Sequence, residues 1–194
     1  EKNIPHGSGL GGGSSNAAYL LNYLNYKLKL KLSNKKKENL ARKIGFDVPI
    51  SLQKKNTFLT GKNRQILRLS RKFNLNLLIV YPNLVCSTKS IFEKNKKRSL
   101  LKQTPFFHIK DRKKLINFLK NENNDLEETV TKIYPKIKKI IKYIKLQKGC
   151  YFSRITGSGS ACIGIFSNMK NAFYAQKLIK LKYPKYWCAV SKSI

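Results

Sequence analysis

Five of the chain's eleven glycines crowd into Gly7–Gly13. From there the sequence runs with no spacer through Ser14-Ser15-Asn16-Ala17-Ala18 into Tyr19, Leu20, Tyr23 and Leu24 at helical spacing. Glycine reaches positive φ without steric cost and leaves no Cβ in the way, so backbone N–H groups in such a loop can converge on one point. The Ser14-Ser15 pair opens the helix, whose unsatisfied N–H groups and partial positive charge add to the attraction for an anion. A flexible Gly/Ser linker is the competing reading, but linkers do not run straight into a capped amphipathic helix. The segment Pro5, His6, Gly7, Ser8, Gly9, Leu10, Gly11, Gly12, Gly13, Ser14 and Ser15 therefore reads as a phosphate-binding loop. It is not a Walker loop, because Gly-x-x-x-x-Gly-Lys-Ser/Thr is absent.

Downstream, Ser33 or Asn34 is placed to cap a second helix with Leu40, Ala41 and Ile44 on one face, and Gly45 to end it in a left-handed conformation. Alternating segments over 57–60 and 65–69, separated by Gly61-Lys62-Asn63, predict a hairpin and a domain boundary near residue 62. The apolar run 75–81, closed by Pro82, predicts a buried strand. Asp111 and Asp125 each sit where a helix cap belongs, and Pro135 kinks or interrupts the second of those helices. Strands over 152–155 and 161–166, joined by Thr156-Gly157-Ser158-Gly159-Ser160, a helix over 170–183 and a strand over 187–190 complete a βαββαβ order. That order predicts a ferredoxin-like layer of helices on an antiparallel sheet within an α+β chain.

The 194 residues suffice for one or two domains with a substantial core. With 41 Lys and Arg against 9 Asp and Glu, the net charge of +32 suits an anionic partner such as nucleic acid. Lysine, however, is spread along nearly the whole chain beside abundant Asn and Ile, which points to compositional bias ahead of a binding surface. At 41% hydrophobic and 11% aromatic residues in periodic runs, the chain is expected to fold. Cys86, Cys150, Cys162 and Cys188 form no C-x-x-C pair, and His6 and His108 have no partners at ligand spacing, so no metal site is expected. These cysteines read as reduced thiols in a cytoplasmic or plastid compartment, and no segment reads as a signal peptide or a membrane span. The glycine loop follows Glu1 without a supporting element, so the natural start is expected to be missing.

The segment Gly11-Gly12-Gly13-Ser14-Ser15-Asn16-Ala17-Ala18 resembles the ATP-binding motif of the GHMP kinase superfamily. It is most similar to the branch whose substrate is 4-diphosphocytidyl-2-C-methyl-D-erythritol. Gly45-Phe46-Asp47-Val48-Pro49, Tyr81-Pro82 with Ser87-Thr88-Lys89-Ser90-Ile91-Phe92, Asn124-Asp125-Leu126-Glu127 and Thr156–Ser160 match that branch in order. Five ordered matches are specific, whereas any one alone is weak. His6, Ser8 and Phe46 depart from the pattern.

The resemblance implies a GHMP architecture, with residues 1–62 the later part of an N-terminal ATP-binding domain and residues 63–194 a C-terminal domain. It implies an ATP-dependent phosphotransferase acting on the 2-hydroxyl of that substrate in isoprenoid biosynthesis, with Mg²⁺ brought in by ATP. Residues Pro5 to Ser15 are then the ATP phosphate loop, and Thr88, Phe92, Gly157, Ser158 and Gly159 contact substrate. Asp47 is the carboxylate that activates the acceptor hydroxyl. Elimination among the nine acids also singles out Asp47, the one acid in a short loop between a glycine stop and Val-Pro, although an ordinary turn aspartate has the same look. The expected partner is the small-molecule substrate for a monomer or homodimer, with no specific nucleic acid and no membrane. Another GHMP kinase with a different alcohol, or a basic nucleic-acid-binding protein, are the alternatives. The family's catalytic lysine belongs to a stretch before Glu1, so residues 1–194 alone are expected to turn over negligibly.

Overall fold

The computed structural model describes residues 3–60, 65–69, 71–95, 109 and 111–193. They form two compact units, one of the residues through Leu10 together with Phe73–Ser193, the other of Gly11–Lys72.

In the Gly11–Lys72 unit, α1 spans Gly12–Lys27, α2 Asn34–Ile44 and α3 Val48–Ser51. Small side chains set the packing: Ala18, Ala41 and Val48 are buried against one another, with Ala17, Leu21 and Leu52 around them. This corrects the expectation for α1. Its larger apolar residues Tyr19, Leu20, Tyr23 and Leu24 are exposed, and the packed stripe is the one carrying Ala17, Ala18 and Leu21. Helical periodicity marks several apolar stripes on such a helix, and residue size does not say which one the neighbours use.

Ser33 caps α2 as expected, its hydroxyl accepting from Lys36 N at 3.3 Å. Gly45 follows that helix, but at φ 178° it is extended rather than left-handed. Its N–H still reaches Ala41 O at 3.1 Å, so no left-handed residue is needed to close the helix. Strands β1 (Asn56–Thr60) and β2 (Gln65–Leu69) pair antiparallel, Asn56 opposite Leu69 and Thr60 opposite Gln65. The Arg68 guanidinium ties this hairpin to α3, donating to Pro49 O, to Ile50 O at 2.6 Å and to Thr57 Oγ1 at 2.8 Å. The turn Gly61-Lys62-Asn63 and the proposed boundary at residue 62 lie outside the described residues.

The other unit carries β3 (Asn76–Tyr81), α4 (Thr88–Lys94), α5 (Arg112–Asn121), α6 (Glu127–Ile133), α7 (Pro135–Lys145), β4 (Cys150–Ile155), β5 (Cys162–Phe166), α8 (Met169–Lys182) and β6 (Trp187–Lys192). Its sheet has the order β4-β5-β3-β6 with every pair antiparallel, the ferredoxin-like arrangement. On β3, Leu78 stands opposite Gly164 and Val190, and Val80 opposite Cys162 and Cys188. These residues form one core with Ile137, Ile140 and Ile144 of α7 and Ala172, Ala175 and Ile179 of α8. Each fully buried aliphatic side chain there contributes roughly 1.5–3 kcal/mol of transfer free energy.

Gly164 is fixed by closeness to α7. A Cβ there would stand 2.5 Å from Ile144 Cγ2 and 2.9 Å from Phe166 Cε2. Gly164→Ala is therefore expected to overpack the core at a cost of about 1–3 kcal/mol, read as a lowered Tm; an unchanged Tm would show that α7 yields freely.

Pro135 separates α6 from α7 and occupies the first turn of α7, where its missing N–H breaks no helical bond. Asp111 caps α5, accepting from Lys114 N at 2.7 Å. Asp125 does not cap α6, which starts after Leu126 without a side-chain cap; the carbonyl-type oxygen of Asn124 instead accepts from Leu126 N at 3.0 Å. All four cysteines are free. Burial pushes the thiols of Cys86, Cys150 and Cys188 up to about 11 and that of Cys162 higher still, so they remain protonated at neutral pH. Among the described residues, no helix is long and apolar enough to cross a membrane.

Candidate active site

The residues singled out by sequence fall in both units. Pro5–Leu10 lies with Thr88, Phe92 and Gly157–Gly159 in one, while Gly11–Ser15 and Asp47 lie in the other.

In the first, Gly7 and Gly9 are left-handed at φ 68° and 75°, and Ser8 between them keeps a negative φ. Alternation of this kind turns successive N–H groups to one concave side, the geometry that takes an anion. The hydroxyl of buried Ser8 donates to Pro5 O at 2.7 Å and its carbonyl accepts from Ala161 N at 3.0 Å. Ser8 thus shapes the loop, its hydroxyl and its carbonyl both engaged within the fold. Tyr81 Oη donates to His6 O at 3.3 Å, a further tie from β3.

Thr156–Ser160, between β4 and β5, forms a second glycine loop packed against the first. Gly157 and Gly159 are left-handed at φ 55° and 77°. A Cβ on Gly9 would strike Gly159 O, and one on Gly157 would stand 3.1 Å from Gly9 O. The loop closes through Thr156 N to Ala161 O at 2.9 Å and Gly159 N to Thr156 O at 3.0 Å. Fully buried Ser160 donates its hydroxyl to Leu84 O.

Helix α4 brings Thr88 to this loop, its hydroxyl 2.9 Å from the Ser158 hydroxyl. On the same helix Ile91 is the buried residue and Phe92 is 61% exposed. Phe92 thus lies outside the packed core of the described residues.

In the other unit, α1 begins at Gly12, two residues earlier than Ser14, so Gly12 and Gly13 belong to its first turn rather than to the loop. Gly11, at φ 69°, is the N-cap and supplies no side-chain bond. Ser15 N reaches Gly11 O at 2.9 Å, so the N–H groups of Gly12, Gly13 and Ser14 precede the first intrahelical bond. That uncapped end of a 16-residue helix suits a phosphate. Asp47 precedes α3 in a helical conformation; it is exposed, and its carboxylate makes no capping bond.

Sequence reasoning did not assign roles to Asn124 and Glu127. Asn124 Nδ2 donates to Gly157 O at 2.9 Å and Ile155 O at 3.3 Å, and Glu127 Oε2 accepts from Ile155 N at 2.8 Å. The signal was present in the matched Asn124-Asp125-Leu126-Glu127 stretch, but nothing in it says which loop those side chains hold. Among the described residues, no group of three His, Cys, Asp or Glu converges as a metal site.

Residues 1–55 match the family model described as GHMP kinases N terminal domain, and residues 105–183 the one described as GHMP kinases C terminal. The 4-diphosphocytidyl-2-C-methyl-D-erythritol kinase of Pelagibacter ubique is 33% identical over 195 residues, covering 100% of this chain and 67% of that protein. The proteins of the same name from Wolbachia pipientis and Buchnera aphidicola are 34% and 39% identical, with 96% and 88% of this chain and 64% and 54% of theirs covered. The chain thus spans two thirds or less of the length of these relatives. Among solved structures, a 4-(cytidine 5'-diphospho)-2C-methyl-D-erythritol kinase aligns with TM-score 0.80 and 24% identity, covering 100% of this chain and 69% of that one. A homoserine kinase from Cytophaga hutchinsonii aligns at TM-score 0.71 and 17% identity, with 100% and 68% covered. At those identities the two structures support the fold.

Proposed function

This chain belongs to the family of 4-diphosphocytidyl-2-C-methyl-D-erythritol kinases within the GHMP kinases, and from that premise we propose that it carries out phosphoryl transfer from ATP to the 2-hydroxyl of 4-diphosphocytidyl-2-C-methyl-D-erythritol, a step in non-mevalonate isoprenoid biosynthesis. The observation that carries the reading is the pair of glycine loops locked backbone to backbone at Gly9, Gly157 and Gly159.

In this proposal the contiguous stretch Pro5–Ser15 binds the ATP phosphates through its backbone N–H groups, as the resemblance to the GHMP loop implies. Backbone N–H groups need little reorganisation as charge shifts in the transition state. The acceptor oxygen forms a bond to the γ-phosphorus as the bond from that phosphorus to the β–γ bridging oxygen breaks, releasing ADP. The hydroxyl proton passes to the Asp47 carboxylate. Thr88 and Ser158 present hydroxyls to the acceptor substrate, and Phe92 presents its exposed ring to the cytosine face. Mg²⁺ enters as part of the nucleotide substrate, since phosphoryl substrates supply most of its ligands together with water. The net charge of +32 favours the approach of two anionic substrates.

ADP release by the complete protein with three acceptors tests this reading. The cytidine-linked substrate is expected to give a kcat/KM at least ~100-fold above that for homoserine or mevalonate, because polar groups shaped for one ligand are left unpaired by another. A preference for either of the other two would transfer the chain to a different GHMP activity.

A further inference from the structure

Three side chains, Asn124 ahead of α6 and Glu127 and Val130 on it, converge on the second glycine loop. Asn124 Nδ2 donates to the carbonyls of Ile155 and Gly157, on either side of Thr156. Glu127 Oε2 takes the Ile155 N–H at 2.8 Å. Val130, fully buried, lies under Gly159, where a Cβ would come within 3.3 Å of its Cγ1. Asn124 is itself held, its Oδ1 accepting from Leu126 N at 3.0 Å and its backbone carbonyl from Glu127 N at 2.9 Å. The side chain therefore cannot turn to a ligand without giving up the loop.

Gly157 and Gly159 are both in left-handed conformations, which a glycine leaves readily because its backbone is the least restricted. Something outside the loop must select that arrangement. From this placement we infer that Asn124, with Glu127, is a positioning residue of the acceptor-substrate site, fixing the Thr156–Ser160 loop so that Ser158 meets Thr88. The inference rests on the kinase reading for its effect on catalysis, while its effect on the loop stands independently.

Asn124→Asp keeps the shape and the acceptor for Leu126 N but turns an oxygen toward two carbonyls. In the complete protein it is expected to raise KM for the cytidine substrate at least tenfold, with KM for ATP within twofold and Tm little changed. Glu127→Ala is expected to raise the same KM, and Glu127→Gln, which retains an acceptor for Ile155 N, to restore it. A fall in kcat that tracks a lowered Tm, or a KM rise shared equally by both substrates, overturns the inference.

Hydrogen exchange separates this from the kinase reading. Asn124→Asp is expected to speed exchange at Thr156 and Gly159, whose N–H groups are both bonded within the second loop, at least tenfold, while Ala161, bonded to Ser8 of the first loop, and β3 are unaffected. If the wild-type protein transfers no phosphate yet exchange rises in this way, the kinase reading fails and the positioning role stands. Unchanged exchange in the loop removes the role whatever the activity.

Discussion

Asp47→Asn in the complete protein is expected to lower kcat by about 100-fold or more while leaving KM for ATP nearly unchanged. General-base assistance contributes roughly 10²–10⁴-fold, and an amide oxygen is far too weak a base to supply it. The substitution is close to isosteric, and Asp47 makes no side-chain cap to α3, so the fold loses no bond it depends on. An ordinary capping aspartate would behave in the opposite way, losing stability at unchanged kcat. Steady-state kinetics with a Tm measurement on the same sample distinguish the two. Near-normal turnover would remove Asp47 from its role.

Gly9→Ala is expected to act mainly on ATP. The added Cβ would run into the Gly159 carbonyl and stand 3.1 Å from Thr156 O, backbone atoms that cannot rotate away. At φ 75° an L side chain also costs roughly 1–2 kcal/mol through contact with its own carbonyl. The two glycine loops must therefore part, and KM for ATP is expected to rise at least tenfold together with a lowered Tm. Gly11→Ala is an internal comparison: its φ of 69° carries the same backbone strain, but nothing lies within 4 Å of the new Cβ. It is expected to be the milder of the two. Equal effects at both positions would mean that backbone conformation alone, and not the packing of loop on loop, governs the site.

These residues also show what a sequence discloses and what it withholds. The βαββαβ order was legible because each element announces itself locally, through the apolar run before Pro82, the Asp111 cap and the break at Pro135. The hairpin of β1 and β2 followed from alternation in the same way. Which stripe of α1 is buried was not legible, because Tyr19 and Leu20 carry more apolar surface than Ala17 and Ala18, yet the alanines let α2 and α3 approach. Gly45 looked like a left-handed stop, but the chain leaves α2 in an extended conformation that any residue adopts.

The candidate site divides similarly. The glycine clusters were visible as composition, and their mutual packing was not, since Gly9 and Gly159 are 150 positions apart and neither has a side chain to advertise a contact. Asn124 was visible only as part of a family stretch. Its two donated bonds depend on where β4 ends, which is a property of the folded chain. Phe92 shows the reverse case: the resemblance assigns it to the substrate, while its exposed ring beside buried Ile91 is a property of the folded helix that the sequence does not print.

The most direct test of the central claim is the fate of the γ-phosphoryl group. Complete protein incubated with Mg-ATP and 4-diphosphocytidyl-2-C-methyl-D-erythritol is expected to yield one new phosphate monoester per ADP, seen by phosphorus NMR as a third resonance coupled to the carbon skeleton at the 2-position. ADP formed without that ester, or an ester at another hydroxyl, would contradict the account.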